Sequence, residues 1–451
     1  MKKARFLIIV LILTAISAII SGCFAPGNTV NPPYPKSSIG KVEEPTNHSP
    51  SIEPRNTTMA AADLLSNITA AAAQGKTADT SFTESMADFS LKLFKESVAD
   101  TENSLISPLS VMLALAMTAN GAGGDTLAQM EAVLGGGIPL GDLNEYLYSY
   151  TKGLPSEESA KLRIANSIWF RDNENRLHVE PAFLQRVADY YSASAYSAAF
   201  DNQSVKDINN WVKANTDGMI DKIINEIKEE DMLFLINAIT FDAEWKNVYR
   251  STSVKQDYFT DINGEKTTTD FMRSSEHQYI NEDMAQGFIK PYVGGYSFVA
   301  ILPNEDISIK SYIETLTGAS FLDMIERARE DRTEVDAVMP KFEYEYETQM
   351  NDALASLGMR DAFDDKIADF SAIGSSPEGN LSISEVLHKT FIKVYERGTR
   401  AGATTAVVIS TPTASKPVEV VTIKLDRPFI YAIIDDATNL PIFIGTLLTI
   451  K

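Results

Sequence analysis

Residues 396–410 read ERGTRAGATTAVVIS. The stretch starts polar, passes through small and hydroxyl residues, and ends in β-branched strand formers. No proline interrupts it, and the following TPTASKP at 411–417 is turn and linker chemistry. Such a segment can be an exposed loop in one state and a buried strand in another. Side chains of an extended chain alternate between two faces. From Thr399, one face carries Thr399, Ala401, Ala403, Thr405, Val407 and Ile409, and the other Arg400, Gly402, Thr404, Ala406, Val408 and Ser410. The first face is uncharged and begins small, and the one charge, Arg400, falls on the second. The first face is therefore the one suited to burial. A charge at Thr399 or Ala401 would be carried into a sheet at heavy desolvation cost, and a proline would remove a ladder hydrogen bond. Residues 399–411, fully extended, span about 43 Å, the length of a large domain. Gly398 supplies backbone freedom where the segment begins.

The rest of the chain is large enough to accept such a strand. It has 451 residues, 44% of them hydrophobic, which suits a sizeable core. The net charge of −21 argues against a nucleic-acid partner, because phosphate binding needs a basic surface. Lys2, Lys3 and Arg5 precede an apolar run from Phe6 to Ile20, closed by Ile20-Ser21-Gly22-Cys23. This resembles the lipobox of prokaryotic lipoproteins, in which the cysteine is acylated after cleavage. An uncleaved membrane anchor is the alternative, and the cysteine in register favours lipidation. Removing residues 1–22 takes away three positive charges and no negative ones, so −21 becomes −24. Cys23 is the only cysteine, so no disulfide supports the domain despite an expected extracytoplasmic address.

Residues 1–22 are thus read as a lipoprotein signal peptide and 23–80 as a flexible tether, rich in Pro, Ser, Asn and Gly up to about residue 58. Within it, MAAADLLSNITAAAAQ at 59–74 predicts either a short Ala-rich helix or more tether. Residues 81–451 form the globular domain. Glu84–Ala99 has the apolar spacing of an amphipathic helix. Pro108–Ala119 is apolar all round and predicts a buried helix. Strand-like runs are Leu162–Phe170, Met232–Phe241, Ser297–Leu302, Glu334–Met339, Phe391–Tyr395, Val418–Leu425, Phe429–Ile434 and Ile442–Ile450. Helices dominate the first half and strands the second, which predicts an α+β domain.

A family pattern emerges from the motifs in order. NSLISPLS at 103–110, followed by ALAMTANGAGGDTLAQM at 114–130, resembles the first signature of the serpins. INNWVKANTDGMI at 208–220 matches that family's N-x-W-x-x-x-x-T-x-G-x-I, and NAITFDAEW at 237–245 resembles its NAIYFKGxW. VMPKFEYE at 338–345, LHKTFIKVYERGTRAGA at 387–403, DRPFIYAIID at 426–435 and LPIFIGTLL at 440–448 follow. The resemblance runs from near Thr83 to Lys451. It implies three β-sheets, eight or nine helices and an exposed reactive-centre loop at about 396–420. The implied activity is suicide inhibition of serine proteases. The target's own serine attacks the loop and forms an acyl-enzyme, and the cleaved loop then inserts into the central sheet with the protease attached. Glu396, Gly398, Thr399, Ala401 and Ala403 fall on the hinge. Many inhibitory members have an acid where this chain has Arg400, a departure expected to be tolerated on a solvated face. Asn103, Ser107, Pro108, Ser110, Asn237 and His388 occupy the positions of the polar cluster beneath the central strands. Trp245 falls where the loop first joins the sheet. A polar network there can rearrange when strands part, whereas an apolar core would resist.

The bait bond is less sharply written. In the family it usually follows about the seventeenth residue counted from the hinge glutamate, which here is Pro412. Candidates are Thr411, Pro412, Thr413 and Ala414, all small or β-branched and uncharged. They suit an elastase- or subtilisin-like partner. Lys416 lies too far along and precedes Pro417, which disfavours a trypsin-like target. The expected protein is a monomer with no cofactor, no metal and no catalytic residue of its own. Its four histidines are His48, His178, His277 and His388, and no GxSxG, HExxH or CxxC occurs. GAGGDT at 121–126 lacks the GK[ST] of a phosphate loop and reads as a helix end. The alternatives are a non-inhibitory serpin acting as a binding module and a cross-class inhibitor of cysteine proteases.

Overall fold

The computed structural model describes residues 59–172, 177–377, 379–399 and 420–450. The expected signal peptide, Cys23, the expected tether to residue 58, Arg400, Ala401, Ala403 and the bait candidates Thr411–Ala414 lie outside these residues. The fold is mixed α+β, with three sheets of seven, six and four strands and one short two-stranded ribbon among the described residues.

The large sheet is built on the strand Leu233–Glu244, buried on both faces for most of its length. The period of two sorts its side chains. Leu233, Leu235, Ile239, Phe241 and Ala243 join the main core. Phe234, Ile236 and Ala238 point the other way, into a second cluster with Trp169, Ile208 and Trp211 under the helix Asn202–Asn215. One neighbour of this strand is Ala160–Arg171, paired antiparallel from Ala160↔Ala243 to Phe170↔Leu233. The other is Glu385–Tyr395, paired parallel from Glu385↔Phe234 to Thr390↔Ile239. Beneath them lies the helix Pro108–Ala119, with all its residues buried, as its uninterrupted apolar sequence predicts. Ser107 caps it by accepting the Ser110 N–H, and Pro108 occupies the first turn, where its missing N–H costs nothing.

The expected helix at 59–74 does not form. Ala62–Asp63 is instead a short strand that extends the large sheet at its edge, pairing with Tyr196 and Ser197. Leu64, Leu65 and Ile68 pack on the core, and Asp207 accepts hydrogen bonds from the Ala60 and Ala61 N–H groups. Lys76 reaches Asp142 and lies over the Tyr146 ring. Helix propensity loses to the sheet pairing of Ala62–Asp63 and to the core contacts that Leu64, Leu65 and Ile68 make from the turn that follows it. Residues 59–79 are thereby packed onto the domain expected from residue 81 onward. The strand expected to run to Ile450 ends at Leu447. GAGGDT joins two helices, Pro108–Ala119 and Gly124–Gly135. Gly121 is needed there because a Cβ would meet Ile373 at 2.0 Å.

Candidate functional site

The two central strands are not paired along their whole length. Below Thr390↔Ile239 they bond each other directly. Above it they part, and Gly398–Thr399 lies between them as a two-residue strand. It pairs antiparallel with Val394 and Tyr395 on one side and with Ala243 and Glu244 on the other. The chain reverses at Glu396-Arg397 and starts back down between its own preceding strand and the next.

Thr399 is 2% exposed, and its hydroxyl lies 2.5 Å from the Tyr292 hydroxyl. Burial holds the Tyr292 phenol far above its ordinary range, so it stays neutral beside this residue. Gly398 does not adopt a left-handed conformation. What demands glycine is proximity, because a Cβ would stand 2.0 Å from the Ala243 carbonyl oxygen. Close packing is thus a reason for glycine here beside the backbone freedom expected of a hinge.

The segment following the central strand holds the turn. The Trp245 N–H donates to the Arg397 carbonyl at 2.8 Å, and its indole N–H donates to the Tyr395 carbonyl at 2.9 Å. The Tyr249 N–H donates to the Glu396 carbonyl at 2.9 Å. Trp245 is buried and stacks on Tyr292, with centroids 4.2 Å apart. Arg397 pairs with Glu244 at 3.2 Å, and Glu396 pairs with Lys341 at 2.5 Å.

The polar cluster lies lower, where the strands still pair. The Ser107 N–H donates to His388 Nε2 at 3.0 Å, which assigns the ring proton to Nδ1. Nδ1 then donates to Asn237 Oδ1 at 2.6 Å. The Asn237 amide donates onward to Ser110 Oγ and Asn166 Oδ1, both at 2.6 Å. Complete burial pulls the His388 pKa down to about 3, so the imidazole is neutral at physiological pH. The structure brings Ser107, Pro108, Ser110, Asn237 and His388 together. Asn103 is placed elsewhere, with its side chain bonded to the backbone of Leu448 and Thr449. There it holds the C-terminal end of the chain rather than the cluster.

Several residues of this site carry no signal in the sequence. Asn166 belongs to no motif, and Tyr292 falls in an unremarked YVGGY stretch. Lys341 sits inside the quoted VMPKFEYE, where nothing in the motif sets the lysine apart.

Residues 84–450 match the family model described as Serpin (serine protease inhibitor). An uncharacterized serpin-like protein of Thermococcus kodakarensis is 30% identical over 371 residues, covering 80% of this chain and 84% of the relative. The crystal structure of the thermophilic serpin tengpin in its native state is 57% identical, covers 86% of this chain and 100% of its own, and superposes with a TM-score of 0.82. The same protein in its latent state is 55% identical over 84% of this chain and 100% of its own, with a TM-score of 0.74.

Proposed function

The chain belongs to the serpin family, and from that premise we propose that it is a suicide inhibitor of serine-type endopeptidases. The observation that carries this reading is the wedge of Gly398–Thr399 between two strands that are still directly paired below it. On this reading an inserting strand would extend the wedge along the ladder from Thr390↔Ile239 down to Glu385↔Phe234. Its inward side would begin with the buried Thr399 and, by alternation, take Ala401, Ala403 and Thr405 next. Each step exchanges one parallel ladder for two antiparallel ones, a net gain in backbone pairing. The protease supplies the nucleophile, and this protein supplies the bait bond and the strand.

The bait bond is placed among Thr411, Pro412, Thr413 and Ala414, and the partner is an elastase- or subtilisin-like enzyme. The amino-terminal segment adds a lipoprotein signal and acylation at Cys23, which would tether the inhibitor outside the cytoplasm. Incorporation of labelled fatty acid by the wild type and not by Cys23→Ala tests that part. For the inhibition itself, the protein is mixed with elastase and with subtilisin and analysed by denaturing gel and mass spectrometry. The expected result is an SDS-stable covalent complex and a released C-terminal peptide beginning within residues 412–415. Loop cleavage with no covalent complex and no gain in thermal stability would identify a non-inhibitory member, and cleavage after Lys416 would overturn the specificity.

A further inference from the structure

Lys290 is a fully buried cation beneath the hinge, in the strand Ala285–Pro291. Its ammonium donates to Glu276 Oε1 at 2.7 Å and to the Asn247 carbonyl at 3.2 Å. It also lies over the Tyr249 ring at 4.4 Å and the Trp245 ring at 5.3 Å. Glu276 is itself 4% exposed and accepts a second hydrogen bond from Ser274 Oγ at 2.6 Å. The three groups that Lys290 touches besides Glu276 all belong to the segment Trp245–Tyr249. That same segment makes the three hydrogen bonds to the carbonyls of Tyr395, Glu396 and Arg397 described above.

We propose that Lys290, held by Glu276, is a positioning residue that sets the register in which the reactive-centre strand enters the large sheet. The argument is geometric. A buried ion pair is seldom the most stabilising choice at an interior position, because desolvation offsets the attraction. What this pair adds is direction. One cation fixes two ring faces and one carbonyl of a five-residue segment, and cation–π contacts strengthen when water is excluded. Trp245 and Tyr249 are thereby locked, and they in turn lock the reversal at Glu396-Arg397. Register matters here because a one-residue slip exchanges the two faces of a strand. With the turn locked, Thr399 meets Tyr292, and by alternation Ala401 and Ala403 follow it inward. With a slip, Arg400 would take the inward position. The clamp itself is a property of the intact protein; its effect on inhibition rests on the inhibitory reading above.

The test uses the intact protein and hydrogen–deuterium exchange. K290M leaves Glu276 without its cation and is prone to misfold, so the deciding variant is K290M/E276Q, which removes both charges. In the double variant, amides within residues 245–249 and 395–399 are expected to exchange about tenfold faster than in the wild type, while those of Glu385–Thr390 are unchanged. The stoichiometry of inhibition is expected to rise in parallel, because a loosened strand inserts late and the protease escapes. Unchanged exchange at the hinge in a folded double variant overturns the clamp. Faster exchange with wild-type stoichiometry overturns the register role. A wild type that forms no covalent complex with any protease refutes the inhibitory reading and the register role with it, and the exchange experiment still decides the clamp.

Discussion

Glu396 and Lys341 form an ion pair, with Oε1 and Nζ 2.5 Å apart, at the turn between Glu385–Tyr395 and Gly398–Thr399. Lys341 also lies 3.0 Å from Asp270, so one cation joins this turn to the four-stranded sheet. Burial pulls the lysine pKa down, but its hydrogen bonds to the two carboxylates outweigh that and raise it. The pair is only partly shielded, and solvent screening keeps its worth modest: Glu396→Gln is expected to cost about 1 kcal/mol. Lys341→Met is expected to cost more, since it leaves two carboxylates without their cation. Thermal melts of the two variants check this, and equal losses would argue that Asp270 contributes nothing.

Thr399→Arg tests insertion directly. Thr399 is buried against Tyr292, and an arginine there must either stay unpaired in the sheet or keep the strand out. The expected outcome is cleavage by the target without a stable covalent complex, with the cleaved protein melting close to the intact one. Thr399→Ser, which keeps the hydroxyl and its size, should remain inhibitory. An arginine variant that still forms the complex at wild-type stoichiometry would contradict the buried-face argument.

His388 predicts how stability responds to acid. Its folded pKa of about 3 lies below the ordinary histidine value near 6.5, so the unfolded chain binds the proton first. Its neutral form contributes fully above the unfolded value, and that contribution is lost as pH falls from 6.5 towards 3. At pH 4.5 the linkage amounts to about 2–3 kcal/mol from this group. His388→Gln keeps a donor and an acceptor but no titrating group. Its stability is therefore expected to fall less steeply between pH 6.5 and 4.5 than that of the wild type, as read from denaturant midpoints. Parallel slopes for the two proteins would count against the assignment.

The strap at Met59–Asp79 gives a fourth prediction. It covers the edge strand Ser194–Ala198 and is tied to Asp207 of the helix that lies over the large sheet. Starting the chain at Asp79 removes the Ala62–Asp63 pairing and the core contacts of Leu64, Leu65 and Ile68. The truncated protein is expected to melt several degrees lower, by roughly the few kcal/mol of three half-buried aliphatic side chains. An unchanged melting temperature and unchanged inhibition would make the strap a passive cover.

Much of this was legible from residues alone, for a physical reason that can be stated element by element. The buried helix Pro108–Ala119 is bounded by its own cap and proline and lacks any polar face, so its ends and its burial are both local properties. The strands Leu233–Glu244 and Phe429–Asp435 coincide with the strand-like runs Met232–Phe241 and Phe429–Ile434, which are rich in apolar residues. Alternation from Thr399 separates a neutral face from a charged one before any coordinate is known. Asn103 and Gly398 show the limit. Asn103 is read from its motif and Gly398 from its backbone freedom, whereas their contacts depend on what the fold brings near them: the backbone of Leu448 and Thr449 in one case, the Ala243 carbonyl in the other.

The sequence by itself determined the class of fold, the buried helix and which alternate face of residues 399–410 is free of charge, because periodicity, residue size and charge are properties of neighbours along the chain. The family entered through the resemblance of its motifs. Only the tertiary structure decided that Gly398–Thr399 is already wedged between its neighbours, that residues 59–79 are a strap rather than a helix, and that Lys290 is buried on Glu276 under Trp245 and Tyr249. Those facts depend on pairings between segments far apart in the chain. A lysine reads as surface until the carboxylate and the two rings that make its burial tolerable are folded around it.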